Sequence, residues 1–227
     1  MPPTMSSLFD PAALAVVVMG TVIATLARCG LADFREALGA ATRLVRGGFA
    51  GEPNRKALAQ AAGAIQRDGP RRADPPLPPD PALAALVASF LRHGALETLA
   101  GLRRADRAIE DARRYAAVQV YTCAGELAPV FGLIGTLYGL TQLAPVGAAG
   151  VSATATIMAA VSTAVLTSLY GALIAHLVCF PLASAIERRG LADEAAREAL
   201  ADWFVAQAGG AQAAAREHRA HHLRGVA

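Results

Sequence analysis

The sequence predicts an all-α fold: a polytopic membrane protein with three transmembrane helices and a helical cytoplasmic domain. Three observations carry that prediction. The 227-residue chain is 54% hydrophobic and only 17% charged, whereas soluble domains carry about 25% charged residues. The missing charge is concentrated: from Leu127 to Ile186, 60 consecutive residues contain no Asp, Glu, Lys or Arg. A shorter uncharged segment runs from Pro11 to Ala27. A bilayer span takes about 20 apolar residues, so the long run holds two spans and the short segment a third.

Residues 1–10 contain no Lys or Arg. They lack the positive n-region of a cleavable signal peptide, so the first apolar segment is expected to stay in the mature protein. The first span is placed at 11–28. The second occupies 127–145. It ends at Pro145-Val146-Gly147-Ala148-Ala149-Gly150, where proline and glycine punctuate the chain. The Ser/Thr-rich stretch that follows completes a turn at 146–155, and the third span covers 156–184. Basic residues set the orientation. Arg28, Arg35, Arg43, Arg46, Arg55 and Lys56 follow the first span. Arg103, Arg104, Arg107, Arg113 and Arg114 precede the second, and Arg188 and Arg189 follow the third. Residues 29–126 and 185–227 are therefore expected in the cytoplasm, with the N-terminus and the short turn outside.

Within the cytoplasmic parts, residues 31–47 have apolar positions at helical spacing and continue the first span. Residues 54–67 also read as helix. Residues 69–81 hold six prolines and are expected to be a loop. Residues 82–122 read as an amphipathic helix, charge-rich from Arg103 to Arg114, and 185–227 as a C-terminal helix ending in a solvated His218, His221 and His222. Cys29, Cys123 and Cys179 are widely spaced and read as small buried residues. No cysteine or histidine spacing suits a metal, and no cofactor is expected. No nucleophile and base are paired by the sequence, so an enzyme is not expected. The net charge of +3 leaves no basic face for nucleic acid.

The paired spans are rich in small residues. Gly132, Gly135, Gly139 and Gly171 permit close helix packing, with Gly135 and Gly139 in the small-xxx-small pattern. Thr136, Thr163, Thr167 and Ser168 either hydrogen-bond to a helix or line a wet, ion-accessible seam. No carboxylate lies at membrane depth: Glu126 precedes the second span and Glu187 follows the third. Moving protons or cations through lipid normally uses an acid, so a channel built from this chain needs a partner to supply one. His176 reads as a packing or hydrogen-bonding group. Pro129 and Pro181, near the cytoplasmic ends of their spans, are candidate hinges.

Ala128-Pro129-Val130-Phe131-Gly132-Leu133-Ile134-Gly135-Thr136-Leu137-Tyr138-Gly139-Leu140 resembles the third-span motif of the MotA flagellar stator family, within the MotA/TolQ/ExbB proton channel superfamily. Leu166-Thr167-Ser168-Leu169-Tyr170-Gly171-Ala172-Leu173-Ile174-Ala175-His176 and Pro181-Leu182-Ala183 resemble its fourth span. Phe9-Asp10-Pro11 with Val16-Val17-Val18-Met19-Gly20-Thr21 is similar to the start of its second. The resemblance implies a bacterial inner-membrane protein, multi-pass, with a periplasmic N-terminus and a cytoplasmic C-terminus. It also implies a pentameric ring of copies around a MotB-like one-span partner that brings the ion-binding Asp. Pro129 and Pro181 match the motif prolines, and Thr136, Thr167 and Ser168 match the hydroxyls facing the ion path, for protons or sodium. The cytoplasmic domain of such proteins presses on the rotor protein FliG through an Arg three before a Gly and a Glu five after it. Around Gly69 this chain has Gln66 and Asp74, so Arg67, Arg71, Arg72 and Asp74 are the candidate contacts. Three spans, where MotA proteins have four, keep an ExbB/TolQ-like energiser with an ExbD/TolR-like partner open. Those proteins carry a Glu where Thr163 stands here. A non-conducting scaffold is a third possibility.

Overall fold

The computed structural model describes residues 10–69, 72–94, 96–141 and 152–224. They form α1 (Pro11–Arg46), α2 (Gly51–Asp68), α3 (Pro81–His93), α4 (Leu96–Thr141), α5 (Ser152–Leu173), a π-helical turn (Ile174–Cys179) and α6 (Phe180–Arg224). No strand occurs among the described residues. Among the described residues, three helices are long and apolar enough to cross a membrane: Pro11–Arg46, Leu99–Thr141 and Ala160–Gly210. The chain is an all-α membrane protein.

α1 opens on Asp10, whose carboxylate accepts hydrogen bonds from the Ala12 and Ala13 amides at 3.0 and 3.2 Å. These satisfy amides that have no carbonyl within the helix. Ala13, Val17, Thr21 and Thr25, four residues apart, make one buried face. The Thr21 and Thr25 hydroxyls donate to the carbonyls of Val17 and Thr21, both at 2.7 Å, so the apolar interface carries no unpaired hydroxyl there. The continuation past the first span is helical, but it is kinked at Gly30, where φ is +86°. A side chain would be strained in that conformation.

Four sequence expectations change. The helix expected over 82–122 is two helices, parted at Gly94 in the left-handed region with φ +63°. Pro81, expected in the proline-rich loop, is the first residue of α3. A helix's first amide has no helical partner, so proline is tolerated there. The second and third spans are not separate helices. α4 runs without a break from its charged half through Pro129, and α5, the π turn and α6 form one continuous helical rod. Composition changes sharply at Leu127 and Glu187, but a backbone helix is indifferent to whether lipid or water surrounds it. Residues 152–155, expected in the outer turn, begin α5. The rest of that turn, at 146–151, and residues 1–9 lie outside the described residues.

The chain divides into two compact units. The first takes the chain up to Arg46 together with Arg113–Arg188; the second is Gly47–Ala112 with the chain from Arg189 onward. In the first, Ala37, Ala117, Val120 and Ile186 form one buried cluster, and Ala13, Leu166 and Tyr170 another. In the second, Leu58 and Ile65 of α2, Leu83, Val87 and Phe90 of α3, Leu99 of α4 and Phe204 of α6 make the core. The Phe90 and Phe204 rings meet edge to face, centroids 5.9 Å apart, a favoured arrangement of aromatic quadrupoles.

One polar group organises the second unit. The Asp80 carboxylate caps α3 by accepting from the Ala82 and Leu83 amides at 3.0 and 3.1 Å. Its other oxygen accepts from Arg197 Nε of α6 at 3.1 Å. The Asp80 amide donates to buried Asn54 of α2 at 2.9 Å, and the Arg197 guanidinium lies 5.5 Å from the Phe49 ring centroid. Asp80→Ala removes the cap and one partner of a charged pair, and is expected to destabilise this unit by about 2–4 kcal/mol. Asp80→Asn keeps a capping oxygen and is expected to lose roughly half as much. Limited proteolysis under increasing denaturant measures both; equal effects would mean that the cap is not the larger part.

Candidate functional site

The residues singled out in the paired spans meet where α4 and α5 cross. A methyl group added at Gly171 would stand 2.5 Å from the Ala128 carbonyl oxygen and 3.1 Å from Pro129 Cα. At Gly132 it would lie 2.8 Å from the Thr167 carbonyl oxygen, and at Gly135 it would lie 2.8 Å from Thr167 Cβ and Cγ2. At Gly139 it would lie 3.4 Å from the Ala160 carbonyl oxygen. Positions rise along α4 as their partners fall along α5, so the helices are antiparallel. Gly132, Gly135 and Gly139, three and four residues apart, form one face of α4. Gly132, Gly139 and Gly171 serve as contact points with the facing backbone and Gly135 makes room for the Thr167 side chain, as small-residue patterns do in membrane helices.

The four hydroxyl residues do not share one environment. Thr167 is buried at 2% exposure, with its hydroxyl donating to the Ala164 carbonyl at 2.9 Å and its methyl against Gly135. The Thr136 hydroxyl donates to the Leu133 carbonyl at 2.6 Å. Hydroxyls bonded to their own helix present little polarity to a neighbour. Thr163 is half-buried, and Ser168 is exposed. Thr167 thus belongs to the packed seam and Ser168 to the outer face of α5.

The prolines lie on either side of this seam. Pro129 sits inside α4 with its Cα at the Gly171 contact. Pro181 is the second residue of α6, directly after the π turn, in which the Phe180 amide donates to the Ala175 carbonyl five residues back. Proline has no amide hydrogen, and its ring crowds the carbonyl four residues earlier. A widened turn relieves that crowding. The π turn was not foreseen from the sequence; Pro181 was its only signal. His176, within it, is exposed, with its ring 5.4 Å from the Phe180 ring.

α1 completes the bundle. A side chain at Gly20 would run into the Phe131 ring of α4. The Asp10 amide donates to the Tyr170 hydroxyl of α5 at 2.9 Å. At the other end, Arg28 pairs with Glu126 at 3.3 Å. This pair was also missed, because nothing in the sequence matches residues 98 apart. Large apolar side chains remain exposed on all three helices, among them Met19, Ile23, Leu133, Leu137, Val165 and Leu169. Lipid or further helices would cover them. No acid lies between Leu127 and Ile186, and α4 and α5 are close-packed where they cross.

Of the candidate rotor contacts, Arg67 lies in the last turn of α2, and Arg72 and Asp74 lie in the segment after it, all exposed. Arg71 lies outside the described residues. The three described ones belong to the second unit.

Comparison with known proteins agrees with this architecture. The MotA/TolQ/ExbB proton channel family matches residues 83–199. The chain therefore belongs to that family of membrane channel proteins. Chemotaxis protein PomA of Vibrio alginolyticus is 32% identical over 114 residues, 50% of this chain and 43% of PomA. The match thus spans less than half of that relative. The fold is similar to that of the flagellar MotAB stator complex from Bacillus subtilis, with a TM-score of 0.74 at 18% identity, covering 92% of this chain and 82% of that one. It is equally similar to C. jejuni MotAB, with a TM-score of 0.74 at 13% identity and the same coverages.

Gly171→Ala is expected to destabilise the protein by about 1–3 kcal/mol, because the added methyl meets backbone that cannot move aside. Gly101→Ala, on the same pair of long helices but with nothing within 4 Å, is expected to be stabilising by about 0.5–1 kcal/mol. Thermal unfolding in detergent compares the two; a neutral Gly171→Ala would contradict the close approach.

Proposed function

We propose that this chain is a MotA-like stator subunit: the wall of an ion channel that couples proton or sodium flow across a bacterial inner membrane to mechanical work. One observation carries the reading. Two antiparallel spans are packed backbone to backbone, and the uncharged run that holds them contains no acid. A conducting path along such helices needs a carboxylate from elsewhere, and a MotB-like one-span partner bearing an Asp supplies it. The copies form a homo-oligomeric ring, pentameric in this reading, with the exposed apolar faces of the spans against lipid, neighbours and partner. The N-terminus is periplasmic and the C-terminus cytoplasmic, as the basic residues suggest.

In this ring, Pro129 and Pro181 are the places where the spans bend. Pro129 also abuts Gly171, so a bend in α4 is felt by α5 through the seam. Ser168 on the outer face and Thr163 and Thr136 at its flanks line the path, while Thr167 sets the spacing of the two helices. Arg67, Arg71, Arg72 and Asp74 contact the rotor protein FliG. A second reading is an ExbB/TolQ-like energiser with an ExbD/TolR-like partner.

Co-purification with a one-span protein encoded nearby tests the assignment, followed by ion-dependent motility or growth. A partner carrying an intramembrane Asp and a peptidoglycan-binding domain is expected. Pro129→Ala and Thr167→Ala are expected to abolish most of the ion-driven output while the complex still assembles. Unchanged output in both variants would overturn the channel assignment. A TonB-accessory-type partner would favour the second reading.

A further inference from the structure

We propose that Cys29 of α1 and Cys123 of α4 are a reversible redox modification site, closing to an intramolecular disulfide that ties the two helices together. The register of two antiparallel helices brings these cysteines to the same level of the bundle. Gly20 abuts the Phe131 ring. Arg28 bonds to Glu126 at 3.3 Å, and the Tyr121 hydroxyl donates to the Ala37 carbonyl at 3.2 Å. Cys29 and Cys123 fall between the last two of these contacts on both helices, and their thiols are hydrogen-bond neighbours. A disulfide places the sulfurs about 2 Å apart, with Cβ atoms about 3.8 Å apart. Two thiols near enough to interact reach that geometry by side-chain rotation and a shift of one backbone. Gly30 allows that shift, because it breaks α1 directly after Cys29, with φ +86°. Cys29 thus ends a helical segment rather than lying in the middle of one.

Accessibility fixes the order of events. Cys29 is partly exposed, and Cys123 is 1% exposed. A low-molecular-weight disulfide such as glutathione disulfide can therefore be attacked only by Cys29. The Cys29 thiolate forms a mixed disulfide, and one small thiol leaves with a proton. The Cys123 thiolate then attacks the Cys29 sulfur, and the second small thiol leaves. Two protein thiols are oxidised, and one small disulfide is reduced to two thiols. Such exchange proceeds through a mixed disulfide and reverses in excess thiol. Disulfides in a reducing compartment are mostly of this transient, redox-sensing kind. The bond would tie α1 to α4 one residue from the Arg28–Glu126 pair and make their separation at that level invariant.

The test uses the full-length protein in detergent, incubated with glutathione disulfide, followed by maleimide counting of free thiols, intact mass and peptide mapping. The expected result is loss of two of the three thiols without retained glutathione, a Cys29–Cys123 linked peptide, and full recovery with dithiothreitol. Cys179→Ser is expected to form the same link, and Cys29→Ser to lose no thiol pair. Unchanged thiol count, stable glutathione adducts, a link through Cys179, or covalent dimers on a non-reducing gel would each overturn the proposal. Peptide mapping of the unmutated protein decides the matter even where a serine variant does not fold.

Discussion

The membrane half of this protein depends on how closely the backbones of α4 and α5 approach. Between water-soluble helices, burial of apolar side chains supplies most of the attraction. Between helices in lipid, the surrounding tails are as apolar as the side chains, and close van der Waals contact must do that work. Gly171 lying against the Ala128 carbonyl, and Gly132 against the Thr167 carbonyl, give that contact at the shortest possible range. Thr167 fills the space left at Gly135 and keeps its hydroxyl bonded to its own helix. The seam is tight because glycines stand where the two helices approach most closely.

The second unit solves a different problem. Two of its helices, α2 and α3, are short, and the segment joining them is rich in proline, which has no amide hydrogen to donate. Asp80 brings it to order by serving three elements at once: it starts α3, anchors on α2 through Asn54, and holds Arg197 of α6. A buried carboxylate is tolerable because each oxygen has a donor. The aromatic pair Phe90 and Phe204 then closes the core around that polar anchor.

The sequence revealed the membrane character and the packing glycines clearly, since both rest on local composition and spacing. An uncharged run of 60 residues has few other readings, and small residues at intervals of three and four mark a helix contact directly. The sequence was poorer at saying where helices end. Gly94 ends α3 inside an amphipathic pattern that continues past it, and an isolated glycine is often carried within a helix. Gly30 hid in the same way. Pro81 looked like one more loop proline, because its neighbours are prolines too. The continuity of α4 and of the α5–α6 rod could not be read either, since hydropathy reports the surroundings of a helix and not its hydrogen bonds. Pairings such as Arg28 with Glu126, or Asp10 with Tyr170, are tertiary and leave no local trace. The placement of Ser168 away from Thr167 follows from helical periodicity, which turns adjacent residues about 100° apart.

The π turn at Ile174–Cys179 has a consequence for how the long rod is phased. A π turn holds one residue more than an α turn for nearly the same advance. Side chains beyond Cys179 are therefore turned by roughly one residue's angle, about 100°, from where an uninterrupted α-helix would point them. Positions before and after the turn follow different registers, and a single heptad pattern drawn through both would misassign one of them. The rod behaves as two helices of different phase joined without a loop. The π turn thus lets α5 and α6 keep separate registers within one continuous backbone helix.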